Sequence, residues 1–308
     1  MLVTVALGGN ALLRRDEPAD VESQRRNVAV AVRAIAAIAD EHDVVVTHGN
    51  GPQIGLLALQ GEAYSEVRSY PLDVLGAESE GMIGYLLDQE LVNALGGRPV
   101  VTLLTQVRVA ADDPAFARPT KPIGPQYDRE TAERLRAERG WAIAPDGDSF
   151  RRVVASPRPV AIVELPAIRM LVAAGVVVVC VGGGGIPVTV DARGRLAGVE
   201  AVIDKDHAAA LLATSLGADA LLLLTDVAAV DAGWGTANSR PLHEVSTAEL
   251  RGTSFDPGSM GPKVEAACDF VEATGRLAAI GALGDAPAIL RGERGTRITG
   301  PRSGYARS

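Results

Sequence analysis

The sequence predicts an α/β fold of three layers, an α/β/α sandwich in which a largely parallel sheet lies between two layers of helices. Apolar runs of strand length recur along the chain, and several open directly into glycine-rich turns followed by a helical pattern. The composition is 47% hydrophobic but only 4% aromatic, so the core must be mainly aliphatic, as in a buried parallel sheet. The succession of strand, glycine loop and helix occurs in both halves of the chain.

In the N-terminal half, two buried strands are predicted at Leu2–Leu7 and Val44–Thr47. Both end in glycine turns, which expose backbone N–H groups and let a ligand approach closely. After the second strand, Pro52 suits the first position of a helix and Gly51 its cap. The helix between the two strands is predicted from apolar residues at helical spacing: Val28, Val32, Ile35 and Ala39.

The next elements are a helix at Asp73–Leu95 and a strand at Val100–Thr105. The segment 112–158 then changes character, and seven of the 18 prolines fall between Pro114 and Pro159. We interpret it as an excursion from the sheet that contains one charged helix, about Glu130–Arg139. Its apolar residues are too many for plain disorder.

The regular pattern resumes in the C-terminal half, with glycines at helix ends and a capping box at Ser246 and Glu249. The predicted elements are the helix Pro166–Ala174, the strand Val176–Val181, a hairpin of Thr189–Val190 with Leu196–Val199, a helix from Ala208 to Gly217, the strand Leu221–Leu224, a helix from about Gly258 to Thr274, and strands at Leu277–Ile280 and Arg297–Thr299.

Length and charge limit the possible functions. The 308 residues suffice for one large domain or two lobes. The net charge is −8 and the sequence has no basic stripe, which argues against a nucleic-acid partner. Cys180 and Cys268 form no CxxC pair, so no redox or metal chemistry is indicated. Because no apolar run reaches membrane-spanning length and no leader pattern precedes the first strand, we expect a cytoplasmic protein without a membrane partner.

Lysine is scarce, since only three of the 30 basic residues are lysine: Lys121, Lys205 and Lys263. A lysine ammonium is a compact point charge that suits phosphate groups, whereas guanidinium is a broad planar fork. Lys205 lies between Asp204 and Asp206 where a strand-like run changes to a helix. The alternatives are that the lysines remain by chance in an arginine-rich composition, and that the aspartates are a helix cap and a solvated ion pair.

Glycine turns at strand ends, helix N-termini and lysines together indicate an elongated polyphosphate site. Any one of these turns could be only a tight turn. The sequence has neither a GxxxxGK[ST] P-loop nor the GxGxxG dinucleotide fingerprint, which disfavours a dinucleotide-dependent oxidoreductase. His48 and His207 have no partner at ligand spacing, so we interpret them as hydrogen-bonding residues and predict no protein metal site.

Over nearly its whole length the sequence resembles the carbamate kinases, a branch of the amino-acid-kinase fold family. Eight ordered motifs carry the resemblance: Ala6–Leu12, Thr47–Gln53, Pro119–Pro125, Gly140-Trp141 with Arg151–Ser156, Gly182–Pro187, Ala201–Asp206, Leu224–Val227 and Gly258–Lys263. The Lys-Pro-Ile-Gly-Pro segment is the most discriminating of them. It is similar to the protruding subdomain that separates carbamate kinases from acetylglutamate and uridylate kinases.

The resemblance implies one amino-acid-kinase domain, 1–308, and the reversible reaction ATP + carbamate ⇌ ADP + carbamoyl phosphate with Mg²⁺. It implies an acceptor-binding lobe at 1–165, which includes a protruding subdomain at about 112–158, and a nucleotide-binding lobe at 166–308. A cytoplasmic homodimer and a place in arginine metabolism are also implied.

The same resemblance implies roles for individual residues. Lys121, Lys205, Lys263 and Asp204 would be catalytic, with Asp204 organising the lysines or the metal. The acceptor and the transferred phosphoryl group would be lined by Gly8, Gly9, Asn10, Gly49, Asn50 and Gly51. The nucleotide would meet Gly183, Gly184, Lys205, Thr225, Asp226, Met260 and Lys263.

One departure from the family pattern concerns the nucleotide base, because Asp231 stands where the family has a tyrosine near the base. Two alternatives remain. One is a kinase of the same fold that acts on another small carboxylate or on a phosphonate. The other is a non-catalytic nucleotide-binding regulator, which the retention of all three lysines disfavours.

Overall fold

The computed structural model describes residues 1–13, 17–18, 20–64, 69–235, 239–256 and 258–300, without the side chains of Asn10 and Ala11. Its strands are β1 Leu2–Leu7, β2 Asp43–His48, β3 Val100–Thr102, β4 Gln106–Val109, β5 Lys121–Tyr127, β6 Ile143–Asp146, β7 Ser149–Val154, β8 Pro159–Ile162, β9 Val177–Val179, β10 Ile186–Val190, β11 Leu196–Gly198, β12 Ala220–Thr225, β13 Val230–Ala232, β14 Arg240–Leu242, β15 Glu244–Ser246, β16 Leu277–Ala282 and β17 Thr296–Thr299. Its helices are α1 Gly9–Leu12, α2 Val21–Ala39, α3 Gly51–Ala63, α4 Leu72–Ala94, α5 Arg129–Arg139, α6 Leu165–Ala173, α7 Lys205–Leu216, α8 Thr247–Arg251, α9 Met260–Thr274 and α10 Ala286–Leu290.

The main sheet has eight strands in the order β15-β17-β16-β12-β1-β2-β9-β3. Its neighbouring strands run parallel, except that β16 and β17 are antiparallel. The central strand β1 pairs in register with β12 on one side and β2 on the other. The predicted fold class, a largely parallel sheet between helices, is therefore confirmed.

Side chains of the sheet alternate between its two faces, and each face has its own core. Val3, Val5 and Leu7 of β1 pack with α2, α4 and α10 on one face. Ala6 points to the opposite face, where it packs in a cluster with residues of α7 and α9. This period-two alternation within a continuous apolar run is typical of a strand covered on both faces.

Two smaller sheets complete the part of the chain that positions the site. The strands β11, β10, β4 and β8 form one sheet, which includes the predicted hairpin of β10 and β11. Within the segment 112–158, the strands form a separate antiparallel sheet in the order β5-β7-β6, with helix α5 packed through Ala132 and Leu135; this sheet and helix are called the protruding subdomain below. The guanidinium of Arg152 lies 4.4 Å from the centre of the Trp141 ring. The excursion is thus an ordered unit, as its apolar content predicted.

Several local predictions are confirmed. Helix α2 buries all four of its predicted apolar positions. Helix α7 ends at Gly217, which has a left-handed φ of 67°, and α9 spans Met260–Thr274, close to the helix predicted from about Gly258 to Thr274. Ser246 and Glu249 form the predicted capping box. In the described part of the chain no helix is long and apolar enough to span a membrane.

Several predicted boundaries differ from the observed ones, and two of them concern elements next to the glycine turns. The predicted strand Val100–Thr105 ends at Thr102 as β3, and a separate strand that was not predicted, β4, begins at Gln106 in a different sheet. The cap of α3 is Asn50 rather than Gly51, and Pro52 is the second helical residue. Proline suits any position of the first turn, where the N–H groups have no partner within the helix, so the pattern could not fix this boundary to one residue.

Candidate active site

The glycine turns after β1 and β2 meet at one edge of the main sheet, as expected for parallel strands. A Cβ atom placed on Gly49 would lie 2.9 Å from the backbone nitrogen of Gly9 and 2.9 Å from Cδ of Lys205. Gly8 lies against the end of β12, where its N–H donates to the carbonyl of Leu224 at 2.9 Å. The three segments can come this close because two of them carry no side chain.

A third glycine loop, Gly182–Gly185, follows β9 and is fully buried. Gly183, Gly184 and Gly185 have positive φ values, which glycine adopts without strain. A Cβ on Gly183 would lie 2.0 Å from Nδ2 of Asn50, and one on Gly184 would lie 2.4 Å from the carbonyl oxygen of Ile203. The loop therefore packs between the cap of α3 and the residue that precedes Asp204.

Helix α7 begins at the lysine between the two aspartates. Asp204 is its N-cap, and its Oδ1 accepts hydrogen bonds from the backbone N–H groups of Asp206 at 2.9 Å and His207 at 3.4 Å. The side chain of Asp204 is only 11% exposed. Asp204 is therefore a helix cap, which was one of the two alternatives for the aspartates. The cap uses Oδ1 of Asp204 only.

The other oxygen of Asp204 contacts the protruding subdomain. Nζ of Lys121, the first residue of β5, lies 2.5 Å from Oδ2 of Asp204. Asp204 therefore joins the start of α7 to the subdomain through a single carboxylate. The side chain of Lys121 is 30% exposed, so this ion pair is only partly buried.

Asp206 connects the other two lysines. Its Oδ1 lies 2.5 Å from Nζ of Lys205, and its Oδ2 lies 3.3 Å from Nζ of Lys263 on α9. The side chain of Asp206 is 4% exposed, so this is a buried bridge and not the solvated ion pair that the sequence left open. The structure thus gathers three lysines and two aspartates at the N-termini of α7 and α9; these five residues are called the lysine cluster below.

The lysine cluster sets the charge state of its members. Burial alone would raise the pKa of Asp204, but Lys121 and Lys205 outweigh it and hold this pKa below its usual value. At Asp206 burial is likewise outweighed, by Lys205 and Lys263, and the pKa is lowered. The pKa of Lys263 is lowered by the charge of Lys205 and by burial, against the attraction of Asp206. Both carboxylates are therefore ionised at neutral pH.

The protruding subdomain is seated on α3 by a contact between two backbones. A Cβ on Gly55 of α3 would lie 2.4 Å from Cα of Gly124 in β5. Gly124 has a φ of +70°, so neither position accepts a side chain without movement. This contact sits three residues beyond Lys121 and fixes how closely that lysine approaches the body of the protein.

The remaining predicted residues belong to several elements of the fold. Thr225 ends β12 and its hydroxyl donates to Oδ1 of Asp226 at 3.0 Å. Met260 begins α9 and packs on the core beneath it. Gly51 begins α3, and Asn10 lies in α1, although its side chain is outside the described part of the chain. Asp231, which replaces the expected tyrosine, lies in β13 and accepts from the hydroxyl of Ser239 at 3.3 Å.

The histidines make polar contacts with their neighbours. Nδ1 of His48 lies 3.2 Å from the carbonyl of Gly49, and burial lowers its pKa to about 4. His207 has Nε2 at 3.3 Å from Oε2 of Glu265 and Nδ1 at 3.9 Å from Oδ1 of Asp204. Among the described residues, no three His, Cys, Asp or Glu side chains form a metal-binding group.

Two buried residues near the glycine loop, and the central position of Asp206, were not predicted from the sequence. Thr105 and Glu80 are 0% and 2% exposed, and both contact the segment 181–186. A buried glutamate in an amphipathic helix carries no signal in its spacing. For Asp206 the signal was its symmetry with Asp204 around Lys205, but the sequence could not show which of the two faces Lys263.

Known proteins resemble this chain over almost its full length. The sequence profile described as "Amino acid kinase family" matches residues 1–281. The carbamate kinase of Rhizobium meliloti (strain 1021) is 57% identical over 303 residues, which cover 97% of this chain and 93% of that protein. The carbamate kinase of Haemophilus influenzae is 52% identical over 307 residues and 99% of both proteins.

A solved structure agrees with these sequence comparisons. The carbamate kinase from Giardia lamblia bound to AMP-PNP has a TM-score of 0.89 at 41% identity, over 97% of this chain and 98% of that one. The shared elements therefore include the sheet, the glycine loops and the protruding subdomain rather than the sheet alone. The chain belongs to the amino acid kinase family and, within it, to the carbamate kinases.

Proposed function

We propose that the chain catalyses the reversible transfer of a phosphoryl group between ATP and carbamate, which gives ADP and carbamoyl phosphate. The observation that carries this proposal is the lysine cluster: three ammonium groups converge beside glycine turns at the carboxyl edge of a parallel sheet. The full-length likeness to carbamate kinases of other organisms supports carbamate as the acceptor.

The acceptor binds on the side of the turns after β1 and β2. Gly8, Gly9 and Asn10 lie on one turn, and Gly49, Asn50 and Gly51 on the other. The N-terminus of α3 has no side-chain cap, so its first N–H groups can bind an anion. Carbamate already carries a negatively charged oxygen, so the reaction needs no general base to create its nucleophile.

The nucleotide binds on the side of α7 and α9. Lys205 and Lys263 contact its phosphates, and Gly183 and Gly184 allow its close approach. Thr225, Asp226 and Met260 line the remainder of the nucleotide site. This arrangement corresponds to a nucleotide-binding lobe at 166–308 and an acceptor-binding lobe at 1–165.

The lysine cluster supplies the charge that the transfer needs. In the forward direction the carbamate oxygen forms a bond to the γ-phosphorus while the bond from that phosphorus to the β-γ bridging oxygen breaks, and ADP leaves with the electron pair. Negative charge on the moving group is balanced by Lys121 from the subdomain and by the lysines on α7 and α9. Asp204 and Asp206 hold these lysines in position. The loss of one such charge lowers the rate by about 10²–10³, as for other preorganised donors.

Mg²⁺ enters as part of the nucleotide substrate in this proposal. Both carboxylates of the lysine cluster are already paired with ammonium groups, so they do not form a metal cage. In nucleotide sites Mg²⁺ is commonly held by phosphate oxygens and water with few protein ligands. We further propose that the protein is a cytoplasmic homodimer that functions in arginine metabolism; the closeness of its relatives supports these assignments.

The test is the formation of ADP from ATP by the purified protein, measured with and without carbamate. We expect ADP formation that depends on carbamate. Normal ATP binding without any carbamate-dependent ADP would overturn the proposal. In that case, turnover with another small carboxylate or a phosphonate would indicate a different kinase of the same fold, and no turnover with any acceptor would indicate a nucleotide-binding regulator.

A further inference from the structure

The glycine loop Gly182–Gly185 begins at a residue with unusual backbone geometry. Val181 has φ 55° and ψ 36°, and it is the one non-glycine residue with positive φ in the described part of the chain. A β-branched residue rarely adopts this conformation, so surrounding contacts must impose it. Such imposed geometry often marks segments that position a functional site.

Thr105 holds both ends of this loop. The N–H of Val181, before the loop, donates to Oγ1 of Thr105 at 3.0 Å. The N–H of Ile186, after the loop, donates to the backbone oxygen of Thr105 at 2.8 Å. The hydroxyl of Thr105 in turn donates to the carbonyl of Leu103 at 2.9 Å, which fixes the orientation of its lone pairs.

Glu80 of α4 holds Thr105 in place. Its Oε2 accepts the N–H of Thr105 at 2.9 Å, and its Cγ would lie 3.0 Å from a Cβ on Gly182. Both residues are buried, so water does not compete for these hydrogen bonds. The backbone oxygen and the hydroxyl oxygen of Thr105 therefore hold the two ends of the loop, and its backbone N–H is held by Glu80.

The held loop contacts two parts of the candidate site directly. Gly183 packs against the side-chain amide of Asn50, and Gly184 packs against the carbonyl of Ile203, the residue before Asp204. Asn50 caps α3, and Asp204 carries the contacts of α7 with Lys121. A displacement of the loop therefore moves the acceptor side and the lysine cluster relative to each other.

We propose that Thr105 is a positioning residue for phosphoryl transfer, acting through the glycine loop without touching either substrate. The kinetic part of this inference rests on the proposed function, because it presupposes phosphoryl transfer by this protein. The alignment of reacting groups is sensitive to displacements of about 1 Å, which can change rates by about a hundredfold.

The experiment compares three variants in steady-state kinetics. Thr105→Val keeps the shape of the side chain but removes the acceptor for the Val181 N–H, and we expect kcat to fall by about ten- to hundredfold, with a smaller change in KM for ATP. Thr105→Ser keeps the oxygen and should recover most of this loss. Thr102→Val is the matched control, because its hydroxyl donates at 3.1 Å to Gly84 on α4, away from the loop.

A second measurement does not depend on activity. Amide hydrogen exchange at residues 181–186 should accelerate in Thr105→Val by about tenfold or more, but not in Thr102→Val. If the wild-type protein lacks carbamate-dependent activity, the proposed function fails, whereas unchanged exchange in Thr105→Val would overturn the role of Thr105 itself. Accelerated exchange in Thr105→Val together with a kcat equal to that of Thr102→Val would also overturn it. In that case, loosening the loop would leave the rate of phosphoryl transfer unchanged.

Discussion

Oδ2 of Asp206 lies 3.3 Å from Nζ of Lys263, which is 57 residues further along the chain. This contact joins the first turns of α7 and α9, so the lysines on the two helices share one buried counter-charge. The attraction is directional as well as electrostatic, because each oxygen of the carboxylate faces a different ammonium group. Asp206 therefore sets the spacing of Lys205 and Lys263 and favours the charged form of Lys263.

Replacement of Asp206 by asparagine should narrow the pH range of activity. Without the carboxylate, the neighbouring charge of Lys205 lowers the pKa of Lys263 further, so Lys263 loses its proton at a lower pH. We expect the alkaline limb of kcat/KM to move down by about one pH unit. The pH–rate profile of Asp206→Asn measures this shift. Asp191→Asn, in the exposed hairpin, is the control; an unmoved alkaline limb would show that Asp206 does not set this ionisation.

Removal of the charge of Lys205 should lower the rate while the fold remains. Lys205→Ala and Lys205→Met are each expected to reduce kcat/KM by about 10²–10³. The methionine variant keeps apolar contact with Gly49 and so separates the lost charge from the lost packing. Kinetics together with far-UV circular dichroism check this expectation. Activity within a few-fold of the wild type in either variant would refute the role of Lys205.

A methyl group at Gly183 should disrupt the site. Its Cβ would overlap the side-chain amide of Asn50, whose Nδ2 donates to the hydroxyl of Ser79 at 2.7 Å. The positive φ of Gly183 adds strain of about 1–3 kcal/mol for any other residue. We expect Gly183→Ala to lower both kcat and the melting temperature.

The matched control is Gly81→Ala on the exposed side of α4, where a Cβ meets nothing within 4 Å. In a helix interior this change should increase stability by about 0.5–1 kcal/mol. Thermal unfolding of both variants therefore tests the sign as well as the size of the effect. Equal activity in the two variants would contradict the close packing of the glycine loop.

Replacement of Glu80 by glutamine should change how stability depends on pH. Burial raises the pKa of Glu80 well above its usual value, and the facing charge of Glu164 adds to this effect. A carboxyl group whose pKa is higher in the folded than in the unfolded protein stabilises the fold at low pH. That contribution is lost as pH rises from about 4.3 through the folded-state pKa.

Glu80→Gln removes this titration, so its free energy of unfolding should rise relative to that of the wild type as the pH increases over that interval. Urea unfolding at a series of pH values measures the difference. A difference that stays constant with pH would show that Glu80 has an ordinary pKa in the folded protein.

Local sequence patterns predicted many of the strands and helices of the main sheet and its covering layers. The strand β1 was predicted with its observed bounds, and the end of α7 followed from Gly217. These features depend on neighbouring residues only. The three lysines were identified by their scarcity, and the structure brings all of them together.

Features that depend on distant residues could not be predicted. The strand prediction failed at residues 103–105, because Thr105 makes its hydrogen bonds with the distant Glu80 and the loop at 181–186. The strand β5, which contains Pro122 and Pro125, was not predicted; it lies at the edge of its sheet, where a missing N–H is tolerated. The double pairing of Asp206 needs the position of α9, about which the sequence around α7 carries no information.

The contact of Gly55 with Gly124 has a mechanical consequence. Two backbones that touch without side chains are separated by van der Waals contact alone, and no change of rotamer alters that distance. Any residue larger than glycine at position 55 would push α3 and the subdomain apart by the size of its side chain. Lys121 lies on the same strand as Gly124, so this displacement would also move Lys121 relative to Asp204. The size of the residue at position 55 therefore determines the distance between Lys121 and Asp204.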